Sequence, residues 1–166
     1  MKKYELTTEV KDIYGRRLCR IRALISFGNV EKGELGGFIE EENNLSQSGN
    51  AWVYGDARVS GDARVSGDAW VYGNAWVYGD ARVSGDADVS KSTHLLTIRA
   101  IGPRDGITTF FRTKNKEIWV KCGCFDGNID KFKTAVLDTH RGTKHEKTYL
   151  SAIELAKLQI EVEEEK

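Results

Sequence analysis

Two cysteines and two histidines towards the end of the chain have the residue types of a metal site or a nucleophilic site. Cys122 and Cys124 are separated by one residue, which is tighter than the C-x₂₋₄-C spacing of a zinc finger. Their alternation with Val120 along one side of a strand favours buried core thiols. Zinc binding with His140 and His145, or a Cys124 nucleophile beside His140, are the alternatives. We expect no metal, no cofactor and no catalytic residue here.

Basic side chains near predicted strand ends in the same region could bind a small anion. Arginine offers a two-pronged guanidinium that matches phosphate or carboxylate, and Phe110 or Phe111 could stack a base beside it. An ordinary solvated basic face is the simpler alternative, and His140 could act only as a helix C-terminal cap. The predicted ligand-binding residues are Arg104, Phe111, Arg112, Lys114, Lys121 and His140.

A six-residue word fills the middle of the chain and occurs seven times between residues 51 and 92. Each word begins with Ala, a variable and usually large residue, and Val, and all but the last close with Gly-Asp or Gly-Asn. Ala and Val two positions apart point to the same side of an extended strand, and the closing pair favours a turn. Three words would complete one coil with a narrow triangular interior. The period predicts a hexapeptide β-solenoid rather than a meander of antiparallel hairpins.

The large residue of each word switches between Trp and Arg, and the threefold geometry gives this switch a meaning. Words three apart should stack, which places Trp52 against Trp70 and Arg58 against Trp76. One face is then aromatic, a second pairs a cation with a ring, and the third carries Arg and Ser. Exposed aromatic ladders often mark interfaces, although stacking along their own face is the simpler alternative. The predicted interface residues are Trp52, Tyr54, Trp70, Tyr72, Trp76 and Tyr78.

The segment before the repeat predicts a cap. Residues 1–38 read as strands that feed into the solenoid, with a tight turn at Gly36–Gly37. Ile39 and Leu45 fall in register with the Ala positions, so the solenoid is expected to occupy residues 39–92 and to begin with larger side chains in its interior. The first two predicted domains are therefore an N-terminal β cap and the solenoid.

The segment after the repeat predicts a third domain, a small α+β module over residues 93–166. "LLTIRAI", "ITTFFRT" and "IWVKCGCF" read as three strands. Two helices follow, over residues 128–140 with Asn128 as N-cap and over residues 145–164. The predicted fold class is therefore mainly β, with a hexapeptide solenoid between a β cap and this module.

Several motifs are more specific than the repeat itself: Y-x-L-T, F-x-N-V-x-x-G-x-x-G-G-F-I, N-L-S-Q-x-G-N-A-W-V-Y and the run of G-[DN]-A words. Together they resemble a family of bacterial and phage β-solenoid proteins, some of which are called transferases without an established activity. The chain is also similar to short phage and prophage proteins with an added C-terminal module. The resemblance covers essentially the whole chain and implies a left-handed solenoid. Because so few coils bury little core, we expect a homo-oligomer, and a trimer is usual for this class.

The composition narrows the function. The 25 basic and 25 acidic residues cancel, which argues against bulk nucleic-acid binding. The three cysteines make no disulfide framework, and no apolar stretch predicts a signal peptide or membrane span, so we expect a cytoplasmic protein, in the host cytoplasm if phage-encoded. We expect a non-catalytic phage-type binding protein with an anti-defence role, which sequesters a small anionic, nucleotide-like signal in inter-subunit pockets. A structural or protein-binding solenoid is the alternative. An acyltransferase with His94 as its candidate histidine is less favoured.

Overall fold

The computed structural model describes residues 1–163 and divides the chain into two compact units, Met1–Ser92 and Thr93–Lys166. Strands make up most of the regular structure, and the α-helices of the described residues lie in the second unit. The chain is therefore mainly β. Glu164, the predicted last residue of the second helix, lies outside the described residues.

The first unit begins with a β-hairpin and continues into a series of very short strands. Strands β1 (Tyr4–Ile13) and β2 (Arg16–Ala23) are antiparallel, and β2 also pairs with β3 (Leu35–Ile39). A single 3₁₀ turn, Glu42–Asn44, follows β3. Each of the seven words then contributes a two-residue strand: β4 (Trp52–Val53), β5 (Arg58–Val59), β6 (Arg64–Val65), β7 (Trp70–Val71), β8 (Trp76–Val77), β9 (Arg82–Val83) and β10 (Asp88–Val89).

Short strands that lie three words apart in the chain pair in parallel. The rows are β4–β7–β10, β5–β8 and β6–β9, and β3 joins the second row through β5. Trp52 lies beside Trp70 and Arg58 lies beside Trp76, as the spacing of the words predicts. The Trp52 N–H, for example, donates to the Ala69 carbonyl oxygen at 2.9 Å.

The Ala and Val of every word form the interior of the stacked rows. Since side chains alternate between the two sides of a strand, these positions point inward, and each is at most 1% exposed. The outward side chains of the words are consequently the ones that a partner could contact. The interior residues are Ala51, Val53, Ala57, Val59, Ala63, Val65, Ala69, Val71, Ala75, Val77, Ala81, Val83, Ala87 and Val89.

The glycine that closes a word stacks on the glycine three words further along. Gly67 has a φ of +70°, and a Cβ atom there would lie 2.8 Å from the backbone nitrogen of Gly85. Gly79 has a similar φ of +65°, but a Cβ atom there would meet no atom within 4 Å. Both positions favour glycine because of the left-handed backbone, and Gly67 also needs it for the close approach to Gly85.

The two glycines form a matched pair for a stability test. We expect Gly67→Ala to lower the free energy of unfolding by about 2–4 kcal/mol, since it adds a backbone clash to the conformational strain. Gly79→Ala should cost only about 1 kcal/mol, because it adds the strain alone. Chemical denaturation of both variants measures the difference. Equal losses would contradict close stacking of the corner glycines.

The first row of the stack departs from the predicted register. If Ile39 and Leu45 aligned with Ala positions of the repeat, they would lie beside Ala57 and Ala63. The structure instead pairs Ile39 with Val59 and Leu45 with Val65. Each partner is the Val of the same word rather than its Ala, so both side chains still point inward. The chain after Leu45 takes up the difference, because Trp52 again pairs with the matching position three words ahead, Trp70.

Gly36 and Gly37 lie inside β3, so the predicted turn at this pair is wrong. A Cβ atom on Gly36 would lie 2.5 Å from Ile21 Cγ1 and 2.6 Å from the Val53 carbonyl oxygen, and one on Gly37 would lie 2.7 Å from the Ala57 carbonyl oxygen. The pair therefore permits a close approach between backbones. A Gly-Gly pair occurs for either reason, and the sequence did not distinguish them.

Lys3 is buried just before β1, with its side chain directed at the backbone of the first word. Its Nζ donates to the Ala51 carbonyl oxygen at 2.8 Å and lies 4.9 Å from the centre of the Phe27 ring. Burial lowers the pKa of Lys3 from 10.5 to about 8. Between these two values the unfolded chain holds a proton on Lys3 that the folded chain has released, so stability increases with pH in this window.

The variant Lys3→Met tests this dependence, because methionine keeps the length of the side chain and does not titrate. The burial penalty on the charged lysine is fully present below pH 8 and disappears as the pH rises towards 10.5. We therefore expect the free energy of unfolding of the original protein to rise relative to that of Lys3→Met across this window. Denaturant unfolding at several pH values measures the difference, and a pH-independent difference would contradict the lowered pKa.

The second unit contains a four-stranded antiparallel sheet and two α-helices. The strands β11 (Leu95–Ile101), β12 (Gly106–Arg112), β13 (Ile118–Cys122) and β14 (Phe125–Asn128) pair in chain order. Helix α1 (Ile129–His140) begins after Asn128, whose side chain accepts a hydrogen bond from the Lys131 N–H at 2.9 Å. Helix α2 (Lys144–Gln159) follows Thr143. Over residues 1–163, no helix is long and apolar enough to cross a membrane.

The fourth strand corrects the prediction of three strands. "IWVKCGCF" resembles one continuous strand, but Gly123 and Cys124 form a turn, and Cys122 pairs with Phe125 across it. Gly123 has a φ of +56°, which glycine adopts without strain. Cys124 is exposed in this turn, so the expectation that it shares a buried side of a strand with Cys122 is wrong.

Candidate functional site

The residues predicted to bind an anion are spread over the second unit. Arg104 and Lys114 lie in the turns before and after β12, a strand of seven residues that spans roughly 20 Å. Phe111 and Arg112 are buried, with 0% and 2% of their surface exposed. A phosphate that contacted Arg104 would therefore be too far from Lys114 to contact it as well.

Lys121 and His140 each contact another side chain of the same unit. Lys121 Nζ lies 2.6 Å from Asp126 Oδ2. Although burial alone would raise the pKa of Asp126, hydrogen bonds from Lys121 and Trp119 hold it below its usual range. The ring of His140 stacks on Tyr149 with 5.5 Å between centres. The structure does not bring the six predicted ligand-binding residues together.

The Cys and His side chains are also not arranged around one point. The Cys122 thiol accepts a hydrogen bond from Thr108 Oγ1 at 3.1 Å and donates to Tyr149 Oη at 3.7 Å. Burial and the contact with Cys122 raise the pKa of Tyr149, whereas Cys124 lies in its exposed turn. Among the described residues, no group of three or more His, Cys, Asp and Glu side chains is placed to hold a metal ion.

Trp52, the first predicted interface residue, is fully buried. Its ring makes edge contacts with Tyr4, at 6.2 Å between centres, and with Phe27, at 5.4 Å. Both residues belong to the segment before the repeat, which covers the first tryptophan of its face. Trp52 has 0% of its surface exposed, so its predicted role in an interface is wrong.

The remaining rings on that face form a half-buried ladder. Tyr54 and Tyr72 stack with 5.1 Å between centres and only 7° between planes. Tyr54 also meets Trp70 edge-on at 5.3 Å. Burial raises the pKa of Tyr54, with smaller contributions from Tyr72 and Asp88. Contacts within the chain therefore cover much of the area of these rings. This is what the alternative to an interface predicts, in which the aromatic residues stack along their own face.

The next face carries a more exposed group of rings, which we call the aromatic surface: Tyr14, Trp76 and Tyr78. Tyr14 stacks on Trp76 with 5.7 Å between centres and 10° between planes, and Trp76 meets Tyr78 at 5.3 Å. Tyr14 is 89% exposed and Tyr78 is 60% exposed. Tyr14 is not among the predicted interface residues, because its only signal in the sequence is an aromatic residue in the short "YG" turn between two strands.

The repeat and the β1–β2 turn each restrict the rings that they contribute to the aromatic surface. Trp76 Nε1 donates to Ser60 Oγ at 2.9 Å, and the Arg58 guanidinium lies 5.5 Å from the Trp76 ring. Tyr14 occupies the β1–β2 turn with a φ of +49°, a conformation that strains a residue with a Cβ atom and is usually given to Asn or Gly. Strained residues of this kind concentrate at functional sites.

Two ion pairs connect the β1–β2 hairpin to the first rows of the repeat. Arg16 lies 2.8 Å from Glu40, and Lys11 lies 2.7 Å from Asp56. Glu40 also accepts a hydrogen bond from the Gly61 N–H at 2.7 Å, and this bond, together with Arg16, holds the pKa of Glu40 below its usual range. These four charges are engaged within the chain, whereas Asp12 and Arg17 at the hairpin tip are exposed together with Tyr14.

Comparison with known proteins agrees with the architecture of the repeat. A protein-family model described as "YdcK Beta solenoid repeat" matches two overlapping segments, residues 57–73 and 63–79. No curated protein matches the chain. Together the matched segments contain β5 and β8, which pair in parallel three words apart, and they include Trp76 and Tyr78 of the aromatic surface. The chain is therefore a mainly β protein that carries a β-solenoid repeat.

Proposed function

We propose that the chain is a non-catalytic structural repeat protein that acts as a binding scaffold, with the aromatic surface as its docking site. The observation that carries this proposal is the exposure of Tyr14 and Tyr78, at 89% and 60%, both of which contact the Trp76 ring. Contiguous exposed rings on a protein surface usually mark a contact site. The hexapeptide solenoid supports the rings from a closed Ala and Val interior.

The other predicted functions have less support. Sequestration of a nucleotide-like anion needs several basic groups around one point, and Arg112 is buried while Arg104 and Lys114 flank opposite ends of β12. An acyltransferase needs an accessible histidine, and His94 is only 2% exposed. An anti-defence role, a phage origin and a cytoplasmic location stay predictions.

Self-assembly fits the same proposal. The first unit has few stacked rows, and solenoids gain stability when their ends and faces are covered. A homo-oligomer, with a trimer favoured, therefore remains the predicted state, and the left-handed solenoid stays a prediction from the family resemblance. The half-buried ladder of Tyr54, Trp70 and Tyr72 is the surface that adjoining copies would cover.

Site-specific photo-crosslinking tests the docking site even when the identity of the partner is unknown. Replacement of Tyr78 by p-benzoylphenylalanine should give crosslinked products when cells that naturally produce the protein are illuminated. The same replacement at Leu158, which is 86% exposed on α2, is the matched control and should give few. Absence of products from position 78, or equal products from both positions, would contradict the proposal.

A further inference from the structure

We infer that the aromatic surface recognises a neutral oligosaccharide chain. This inference rests on the proposed docking function and specifies the chemistry of the partner. It follows from the size of the surface, from the pairing of the charges at its border, and from the rigidity of its rings.

The size of the surface favours a small partner over a second protein subunit. Complete burial of three aromatic side chains covers on the order of 450–750 Å². Trp76 is already partly covered by Tyr14, Tyr78 and Arg58, so the available area lies at the low end of this range or below it. A stable protein interface buries about 800 Å² on each partner. The rings alone fall short of that area.

The charges at the border favour a neutral ligand. Arg16 and Lys11 are paired with Glu40 and Asp56, and Arg58 lies over the Trp76 ring. The other exposed charges of the hairpin tip, Asp12 and Arg17, have opposite signs and lie opposite each other across the hairpin, so neither sign forms a separate site for a phosphate or a basic peptide. A ligand that binds through stacking and hydroxyl groups needs no such site.

The rings suit the two chemical faces of a sugar. A pyranose ring presents C–H groups on its flat faces, and these carry a small positive charge that matches the negative face of an aromatic ring. Its hydroxyl groups lie at the edge, where the phenol groups of Tyr14 and Tyr78 can donate and accept hydrogen bonds. Because Tyr14 stacks face to face on Trp76, the rings that remain for a sugar are those of Tyr14 and Tyr78, and two separate exposed rings favour a chain of sugars over a monosaccharide.

Preorganisation reduces the entropy lost on binding. Trp76 is fixed by its hydrogen bond to Ser60, and Tyr14 is restricted by its two-residue turn and its stacking on Trp76. Rings that are already oriented lose little freedom when a ligand stacks on them. This gives a physical reason for a tyrosine at a turn position where asparagine or glycine would be less strained.

The test is titration of the full chain with maltohexaose, cellohexaose and chitohexaose, followed by the indole N–H signal of Trp76 in NMR spectra. We expect at least one hexasaccharide to bind and to shift this signal. Tyr14→Ala combined with Tyr78→Ala should weaken the affinity by about tenfold or more, and Leu158→Ala should leave it unchanged. Tyr14→Asn should also weaken binding while it relieves the strained turn, which separates loss of the ring from loss of folding.

Two results would overturn the saccharide inference: no binding of any of the three hexasaccharides, or binding that the tyrosine variants leave unchanged. If position 78 gives crosslinked protein products but no hexasaccharide binds, the saccharide inference is rejected and the docking function is still supported. Saccharide binding with the expected loss in the variants supports both.

Discussion

Gly36→Ala is expected to destabilise the first unit by about 3 kcal/mol or more, because overpacking against a backbone is among the few mechanisms with effects of this size. The added Cβ atom would lie 2.6 Å from the Val53 carbonyl oxygen and 2.5 Å from Ile21 Cγ1. A backbone oxygen cannot rotate away from the new atom as a flexible side chain can, so β3 must shift relative to the neighbouring strands. Denaturant unfolding of the full chain measures the loss.

Gly106→Ala is the matched control for this variant. Gly106 also has an ordinary backbone conformation, and the nearest atom to a Cβ there is the Ile101 carbonyl oxygen at 3.9 Å. We expect this change to alter the free energy of unfolding by less than about 0.5 kcal/mol. If Gly36→Ala is tolerated as well as Gly106→Ala, the close approach between β3 and its neighbours is not present in solution.

Asn44→Ala is the second large effect that we expect, at about 3–5 kcal/mol of lost stability, because the Glu41 N–H and the carbonyl oxygens of Gly61 and Ala63 would lose their Asn44 partner at about 1–3 kcal/mol each. The Glu40 N–H would keep its bond to the Val59 carbonyl oxygen at 3.0 Å. The Asn44 Oδ1 accepts from the backbone N–H groups of Glu40 and Glu41, and its Nδ2 donates to the carbonyl oxygens of Gly61 and Ala63 at 2.8 and 2.9 Å. Asn44 is only 1% exposed. Denaturant unfolding again measures the loss.

Two further variants separate hydrogen bonding from packing at this position. Asn44→Asp keeps the shape but loses the amide donor, so a carboxylate would face two carbonyl oxygens, and we expect it to be at least as damaging as alanine. Asn43→Ala removes the exposed neighbouring amide and should have little effect. A mild Asn44→Asp would show that the amide donor contributes little.

The sequence was most informative where one simple rule repeats. Alternating side chains placed Ala and Val inside, and the count of three words per coil correctly placed Trp52 beside Trp70 and Arg58 beside Trp76. These predictions need only the period of a strand and the length of a word. The rule failed at the first row, where a longer connection after Leu45 allows this residue to pair with a Val of the repeat instead of an Ala.

The sequence was least informative where segments distant in the chain meet. Nothing in the word around Trp52 indicates that Tyr4 and Phe27 cover its ring, and nothing near Tyr14 indicates that it stacks on Trp76. The same limitation affected the predicted anion site. Basic residues close in sequence were expected to cluster, but the hairpin places Arg104 and Lys114 beyond opposite ends of β12.

The candidate functional site therefore lies on the outer side of the repeat and not in the second unit, where the sequence predicted a ligand-binding site. The residues chosen for charge in the second unit are dispersed or engaged, as in the pair of Lys121 with Asp126. Of the six predicted interface residues, Trp52 is buried, and Tyr54, Trp70 and Tyr72 form the half-buried ladder. The other two, Trp76 and Tyr78, form the aromatic surface together with Tyr14. The proposal of a binding scaffold depends on this last group.

Oxidative footprinting in cells tests that proposal most directly. Hydroxyl radicals oxidise exposed tyrosines, so Tyr14 and Tyr78 should react strongly in the purified protein, given their 89% and 60% exposure. If a partner occupies the aromatic surface, both tyrosines should be protected in the cells that produce the protein, while Leu158 reacts equally in both settings. Equal oxidation of Tyr14 and Tyr78 in cells and in the purified protein, with protection of the turn around Arg104 instead, would contradict the account.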